Sequence, residues 1–149
     1  MAPRRLAESW DNSGLQVGDA AAEVHRVLLA LDVDLAVARE AREKGAELIV
    51  CHHPLLLKPL KNVNLAHPSG KLLGFLIKND ITVYAAHTNL DLAAGGVNAA
   101  LAERLGLRDL AVLRQTGRER YLKLAVFIPS GHLEAVRDAV AEAGAGWIG

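Results

Sequence analysis

The chain has 149 residues, of which 51% are hydrophobic and 23% are charged, and this balance excludes an intrinsically disordered protein. Its 17 basic and 17 acidic residues cancel, so the sequence lacks the positive charge expected of a dedicated nucleic-acid-binding protein. The single cysteine, Cys51, excludes a disulfide framework, and no apolar run approaches the roughly 20 residues of a membrane span. We therefore expect a cytoplasmic protein with no membrane partner.

The first predicted elements are a strand, a helix and a second strand over residues 27–51. Val27 to Leu31 is a continuous apolar run, which is typical of a strand buried on both faces. Asp34 is a favourable N-cap for a helix that ends at Lys44, and residues 47–51 predict the second strand. This strand–helix–strand order predicts a mainly parallel α/β sheet.

The chain continues with a loop of about fifteen residues from Pro54 to Ser69, and loops of this length inside compact domains are often functional. A helix follows the loop, residues 81–86 predict a third strand, and a further helix is expected to end at Leu105.

The last part of the chain changes character after a polar linker at residues 114–120. Residues 121–128 alternate like a strand, and residues 131–143 predict an amphipathic helix. Because a single strand and helix cannot bury a core, we expect this second unit to be incomplete.

Polar side chains follow three of the predicted strands at the point where each strand ends. Asp32 follows the first strand, His52 and His53 follow the second, and the segment from His87 to Asp91 follows the third. Because ligands of open parallel sheets bind outside the carboxyl ends of the strands, we expect a ligand site at this edge.

His52 and His53 are the first candidates for metal ligands, since imidazole is a common neutral ligand of zinc, iron and nickel. Adjacent side chains in extended backbone point to opposite sides, so two ions about 3.5–4 Å apart suit the pair better than one. The alternative is one core histidine and one exposed histidine beside the end of a strand.

His87 and Asp91 are the second candidates, because a helical turn would bring positions i and i+4 to one face. The alternative is a capping cluster, in which Thr88, Asn89 and Asp91 bond local backbone amides. Beside the two histidines of a neighbouring strand, the motif favours metal binding.

Three other features have simpler interpretations. Residues 10–19 (WDNSGLQVGD) favour a turn that enters a strand, and contact with a ligand does not follow from their spacing. Cys51 ends a buried strand and is expected to be a core residue rather than a nucleophile. His25, His67 and His132 are expected at the surface.

Taken together, these motifs resemble the Nif-three-like family, whose members are named GTP cyclohydrolase I type 2 homologues. The matching stretches are WDNSGLQVG at 10–18, LALDV at 29–33, ELIVCHHPLLLKPLK at 47–61 and the segment 71–107 that contains HTNLD. The tail resembles the start of the ferredoxin-like domain that longer members insert into the main domain.

The resemblance implies a three-layer α/β sandwich with a mainly parallel sheet, followed by the start of an inserted ferredoxin-like α+β domain. We expect residues 1–118 to be the N-terminal part of the metal-binding domain and residues 119–149 to be the incomplete start of the insertion. Family members complete the site with a histidine and a glutamate from a segment beyond the insertion, so we expect this chain to be a fragment or a truncated product.

The resemblance also implies two divalent metal ions, either zinc, iron, manganese or nickel. By motif match the ligands are His52, His53 and Asp91, with the two histidines on different ions, and His87 is a candidate for orienting a ligand or a water.

The expected function is that of a metal-dependent hydrolase acting on a nucleotide or another phosphorylated small molecule. We also expect the protein to be a homo-oligomer, and the full-length protein to form a hexameric ring. The alternative is a non-catalytic metal-handling or regulatory protein that forms a ring, so the question of enzymatic activity stays open. A third interpretation, an inert remnant of a metal protein, applies if the chain is the complete gene product.

Overall fold

A four-stranded sheet forms the centre of the first part of the chain in the computed structural model, which describes residues 2–113 and 122–146. The strands are β1 (Gly14–Val17), β2 (Val27–Ala30), β3 (Leu48–Cys51) and β4 (Thr82–Ala85). They lie in the order β1-β4-β3-β2, with β2, β3 and β4 parallel and β1 antiparallel to β4. The predicted α/β class and the mainly parallel sheet are confirmed.

In the described residues a short 3-10 helix (Arg4–Leu6) and five α-helices accompany the strands: α1 (Leu35–Lys44), α2 (Pro68–Lys78), α3 (Thr88–Asp91), α4 (Val97–Arg104) and α5 (Leu133–Glu142). Helix α1 begins as predicted, because the Asp34 side chain accepts a hydrogen bond of 2.8 Å from the amide of Val37. It ends at Gly45, whose φ of 64° is the left-handed conformation that glycine adopts at little cost. In the described part of the chain, no helix is long and apolar enough to cross a membrane.

The hydrophobic core lies between one face of the sheet and helices α1 and α2. The helices contribute Ala38, Ala41, Leu72, Leu73 and Leu76. The strands contribute side chains that share one face, namely Ile49 and Cys51 from β3 and Val83 and Ala85 from β4. Burial of this shared face fixes the register of the sheet, since a shift by one residue would turn every side chain to the other side.

Strand β2 differs from its prediction. The expectation that Val27 to Leu31 would be buried on both faces is wrong, since Val27 is 50% exposed and Leu29 is 76% exposed. β2 is an edge strand, and only Leu28 and Ala30 face the side that packs against the core. A continuous apolar run does not reveal which strand will lie at the edge of the sheet.

The chain divides into two compact units, the first ending at Leu107 and the second starting at Arg108. The predicted domain boundary between residues 118 and 119 falls outside the described residues, so the extents 1–118 and 119–149 remain predictions. The assignment of the second unit as the start of a ferredoxin-like domain also remains a prediction.

The second unit has helix α5 inside the range predicted for it. The predicted strand over residues 121–128 is wrong where it can be compared, because residues 122–128 form no strand and residue 121 is outside the described part. The physical reason is that a strand requires a partner to bond its backbone amides and carbonyls.

Candidate metal centre

The carboxyl edge of the sheet collects the polar side chains that the sequence singles out. His87 follows β4, His52 and His53 follow β3, and Asp32 follows β2. Asp11 precedes β1, and because β1 runs antiparallel to β4, its amino-terminal end lies at this same edge. The order Asp11, His87, His52–His53, Asp32 therefore follows the order of the strands.

His52 is held by the backbone of the neighbouring strand. Its Nδ1 lies 2.9 Å from the carbonyl oxygen of Ala86, which only accepts hydrogen bonds, so Nδ1 carries the proton. The other ring nitrogen, Nε2, is then the atom with a lone pair, and it lies 3.7 Å from Oδ1 of Asp91. This arrangement presents an imidazole nitrogen and a carboxylate oxygen side by side, as a divalent cation requires.

His53 is held by a side chain from the strand on the other side. Its Nδ1 lies 2.7 Å from Oδ1 of Asp32, at a site where both side chains are largely exposed. A carboxylate that accepts the Nδ1 proton is the usual outer partner of a metal-binding histidine and leaves Nε2 for the ion. His52 and His53 are thus anchored toward opposite neighbours, β4 and β2.

His87 is held by a buried carboxylate. Its Nδ1 lies 2.8 Å from Oδ1 of Asp11, whose side chain is fully buried. Asp11 also accepts hydrogen bonds from the hydroxyls of Ser13 and Thr88 and from the amides of Asn12 and Thr88. Burial by itself raises the pKa of Asp11, but these hydrogen bonds outweigh it and lower the pKa well below the usual value, so the carboxyl is ionised at neutral pH.

The three imidazoles form a cluster. The ring centres of His52 and His53 are 5.2 Å apart, those of His52 and His87 are 5.2 Å apart, and those of His53 and His87 are 5.9 Å apart. Among the described residues, no three His, Cys, Asp or Glu side chains converge on one point suitable for a single ion. The donors instead lie spread along the edge of the sheet.

The predicted site residues are therefore neighbours, although one pairing differs from the expected one. The helical turn forms, with the amide of Asp91 bonded to the carbonyl of His87 at 3.1 Å. The side chain of Asp91 faces His52, however, while that of His87 faces Asp11. Local capping also occurs, because Oδ1 of Asn89 accepts from the amide of His87. Whether these side chains bind ions remains a prediction.

The segment that begins at Trp10 has a larger part in the site than its spacing indicated. Nδ2 of Asn12 donates to the carbonyl of Leu56 at 2.7 Å, and Oε1 of Gln16 accepts from the amide of Leu56 at 3.0 Å. Trp10 is mostly exposed and packs edge-to-face against His87, with ring centres 6.0 Å apart. The segment thus ties the long loop after His53 to the histidine cluster.

Asp11 is the site residue that sequence reasoning missed. It lies 76 positions from His87, and neither spacing nor periodicity connects the two. The only signal was an acidic residue in a segment interpreted as a turn, where such residues are common, and the strand β1 that follows it was not predicted. Cys51 is a buried core residue as predicted, and His25 and His67 are exposed as predicted.

Comparison with known proteins is consistent with the motifs. Proteins named GTP cyclohydrolase 1 type 2 homolog from Listeria innocua and Halalkalibacterium halodurans are 48% and 46% identical to this chain, over 100% and 99% of its length. The chain spans 40% of the length of each.

Solved structures agree in fold as well as in sequence. A Bacillus cereus protein related to NIF3 superposes with a TM-score of 0.76 at 46% identity, over 100% of this chain and 41% of that one. A Staphylococcus aureus hypothetical protein superposes with a TM-score of 0.71 at 44% identity, over 75% of this chain and 37% of that one. The model of the family Duf34/NIF3 (NGG1p interacting factor 3) matches residues 1–149 in full, and the chain therefore belongs to this family.

Proposed function

We propose that this chain provides part of a centre for two divalent metal ions, with His52, His53 and Asp91 as ligands. The observation that carries the proposal is the geometry of the histidine cluster. Each imidazole is bonded through Nδ1, so each keeps Nε2 as its lone-pair nitrogen, and the ring centres lie only 5.2 to 5.9 Å apart. The residues present fit the binding of zinc, iron, manganese or nickel ions.

The proposed division of ligands follows from how the rings are anchored. His52 is turned toward β4 and has Asp91 beside its Nε2, so these two residues suit one ion. His53 is turned toward Asp32 and suits a second ion. Since the chain spans 40% of its curated relatives, further ligands are expected from the remainder of such longer proteins.

The proposed reaction is hydrolysis of a nucleotide or another phosphorylated small molecule. Two adjacent divalent ions, when bound, lower the pKa of a coordinated water and stabilise charge on the attacked group. The long loop after His53 favours the proposal of an anionic substrate. It is bonded to Asn12 beside the cluster, and it carries two exposed positive residues, Lys58 and Lys61. The name GTP cyclohydrolase 1 type 2 homolog, which belongs to the relatives, fits a nucleotide substrate.

The alternative of a non-catalytic metal-handling protein has one observation in its favour. His53 and Asp32 are 48% and 69% exposed, so an ion at His53 would be accessible to solvent and to a partner that receives it. Hydrolysis of a panel of nucleotides and phosphate esters, with and without manganese or zinc, separates the two functions. Two tightly bound ions without turnover would favour metal handling.

The ligand assignment is tested by replacing His53 or Asp91 with alanine. We expect each variant to lose at least the roughly 10- to 100-fold in metal affinity that removal of an outer partner costs. Zinc affinity is measured by competition with a chelator, and metal content by elemental analysis. Far-ultraviolet circular dichroism should be unchanged, because both residues lie outside the core.

His67→Ala is the matched control, since His67 is an exposed histidine at the start of α2 and lies outside the cluster. Its metal content should equal that of the unaltered chain. Full metal loading in either His53→Ala or Asp91→Ala would refute the assignment.

Assembly and location are further parts of the proposal. We propose a homo-oligomer, a hexameric ring in the longer protein, and native mass spectrometry of that protein tests it. A cytoplasmic location is supported by the single, unpaired cysteine.

A further inference from the structure

We propose that Asp11 is the positioning residue of the histidine cluster. It fixes the tautomer and the orientation of His87, so that His87 keeps its lone pair on Nε2 and can orient a metal ligand or a water. The part of this inference that concerns metal rests on the proposed function, whereas the part that concerns the tautomer does not.

The first argument is the saturation of the Asp11 carboxylate. Oδ1 accepts from the amide of Asn12 at 2.7 Å and faces Nδ1 of His87 at 2.8 Å. Oδ2 accepts from the hydroxyl of Ser13 at 2.6 Å and from both the amide and the hydroxyl of Thr88, at 3.1 and 2.5 Å. With so many donors around a fully buried side chain, the carboxylate has little freedom to turn, and His87 must present an N–H to it.

The second argument is the connection between distant parts of the chain. Thr88 donates to Asp11 through its hydroxyl, and the same oxygen accepts from the amide of Glu8 at 3.0 Å. Nδ2 of Asn89 donates to the carbonyl of Ala2 at 2.7 Å. These hydrogen bonds join the first residues of the chain to the start of α3. Asp11 connects the same network to the imidazole of His87.

The third argument is a contrast between two similar pairs. His53 and Asp32 form the same kind of pair, with Nδ1 at 2.7 Å from a carboxylate oxygen, but this pair is largely exposed. A hydrogen bond at an exposed position competes with water and contributes little. The side chains of His87 and Asp11 are 16% and 0% exposed, so their bond is made away from solvent and is the stronger constraint.

The substitution Asp11→Asn tests the proposal with minimal change in shape. Asparagine has one acceptor oxygen where aspartate has two, so its NH₂ group must face either Asn12 and His87 or Ser13 and Thr88. The hydroxyls of Ser13 and Thr88 can also turn to accept from the NH₂ group, but the Thr88 hydroxyl already accepts from the amide of Glu8 and would then lose its own acceptor. The NH₂ group is therefore expected to face Asn12 and His87, where the imidazole adapts by moving its proton from Nδ1 to Nε2. We therefore expect Asp11→Asn to convert His87 partly or wholly to the Nε2–H tautomer.

The readout is the two-bond proton–nitrogen correlation spectrum of the imidazole rings, recorded on metal-free chain. In the unaltered chain, His87 should be the Nδ1–H tautomer. In Asp11→Asn it should change, while His52, bonded to the carbonyl of Ala86, keeps its tautomer. Asp32→Asn is the matched control and should leave His87 unaltered, because Asp32 bonds His53 and not His87.

Zinc affinity is the second readout, and we expect it to fall by about 10-fold in Asp11→Asn, the lower end of the loss for an outer partner of a ligand, because Asp11 acts through His87 and not on a ligand. An Nε2–H tautomer of His87 in the unaltered chain would overturn the proposal without any variant, so it stays testable if Asp11→Asn does not fold. A folded Asp11→Asn with unchanged tautomer and unchanged affinity would also overturn it. If the unaltered chain binds no metal, the proposed function fails, and the tautomer alone decides the role of Asp11.

Discussion

At the scale of single residues, the three clustered histidines are positioned by three different acceptors. His52 is bonded to a backbone carbonyl, His53 to an exposed aspartate and His87 to a buried aspartate. A backbone acceptor cannot be removed by substitution, and an exposed carboxylate contributes only about 0–1 kcal/mol. The buried carboxylate of Asp11 is therefore the side chain whose loss most disturbs the cluster.

Cys51 allows a prediction at the same scale. Burial raises the pKa of the Cys51 thiol, and the negative charge of Asp32 raises it further, so little thiolate is present near pH 7. Its side chain is only 2% exposed and its sulfur faces the carbonyl of His53. We expect Cys51 to react with iodoacetamide at least about tenfold more slowly in the native chain than in denaturant. Equal rates in the two conditions would contradict its assignment to the core.

At the scale of elements, the long loop between β3 and α2 is held at two points. Near its start, Asn12 and Gln16 bond the backbone of Leu56. Near its end, the backbone of Asn64 lies against Gly70, where an added Cβ would be only 2.0 Å from the Asn64 carbonyl oxygen. The second contact therefore requires a glycine, because no side chain fits between the helix and the loop.

Gly70→Ala tests the contact between the loop and the helix. Alanine is favoured over glycine inside a helix by up to about 1 kcal/mol, but the clash with backbone atoms should outweigh this. We expect a net loss of about 1–3 kcal/mol in the free energy of unfolding, measured by urea denaturation.

Gly74→Ala is the control for this prediction. At Gly74 the added Cβ would meet only the end of the flexible Leu65 side chain, so the stability of the chain should be kept or slightly raised. A Gly70→Ala variant as stable as Gly74→Ala would show that the close approach at Asn64 is absent in solution.

At the scale of the whole molecule, the first unit buries one face of its sheet and exposes much of the other. α1 and α2 cover the face that carries Ile49 and Val83, and Leu76 of α2 is completely buried there. On the other face, Val27 and Leu29 of the edge strand remain exposed within the described residues. Stability should therefore depend strongly on the first face and weakly on the second.

A pair of leucine substitutions tests this asymmetry. Leu76→Ala should lower the free energy of unfolding by about 2–5 kcal/mol, because it removes buried methyl groups and leaves a cavity. Leu29→Ala should change it by no more than about 0.5 kcal/mol, since Leu29 is 76% exposed. Both values come from urea denaturation followed by circular dichroism. Similar losses in the free energy of unfolding for the two variants would mean that the sheet face carrying Leu29 is covered in solution.

The sequence by itself determined strands β2, β3 and β4, the helices that follow them and the edge at which the site lies, but strand β1 was not predicted, because residues 10–19 were interpreted as a turn. Apolar periodicity and the caps at Asp34 and Gly45 are local signals, and they are sufficient to place helix α1. The apolar runs at β2, β3 and β4 form strands because each has a neighbouring strand to pair with. The position of His52, His53 and His87 at the carboxyl ends of strands follows from the strand assignments alone.

Only the tertiary structure decided which residues meet at that edge. The bond between Asp11 and His87 joins positions 76 residues apart, and the position of β2 at the edge of the sheet depends on the order in which strands pack. Likewise, Asp91 faces His52 rather than His87, although spacing favoured His87. These contacts arise from the packing of the chain as a whole, where one buried carboxylate collects donors from several segments, and no local pattern carries that information.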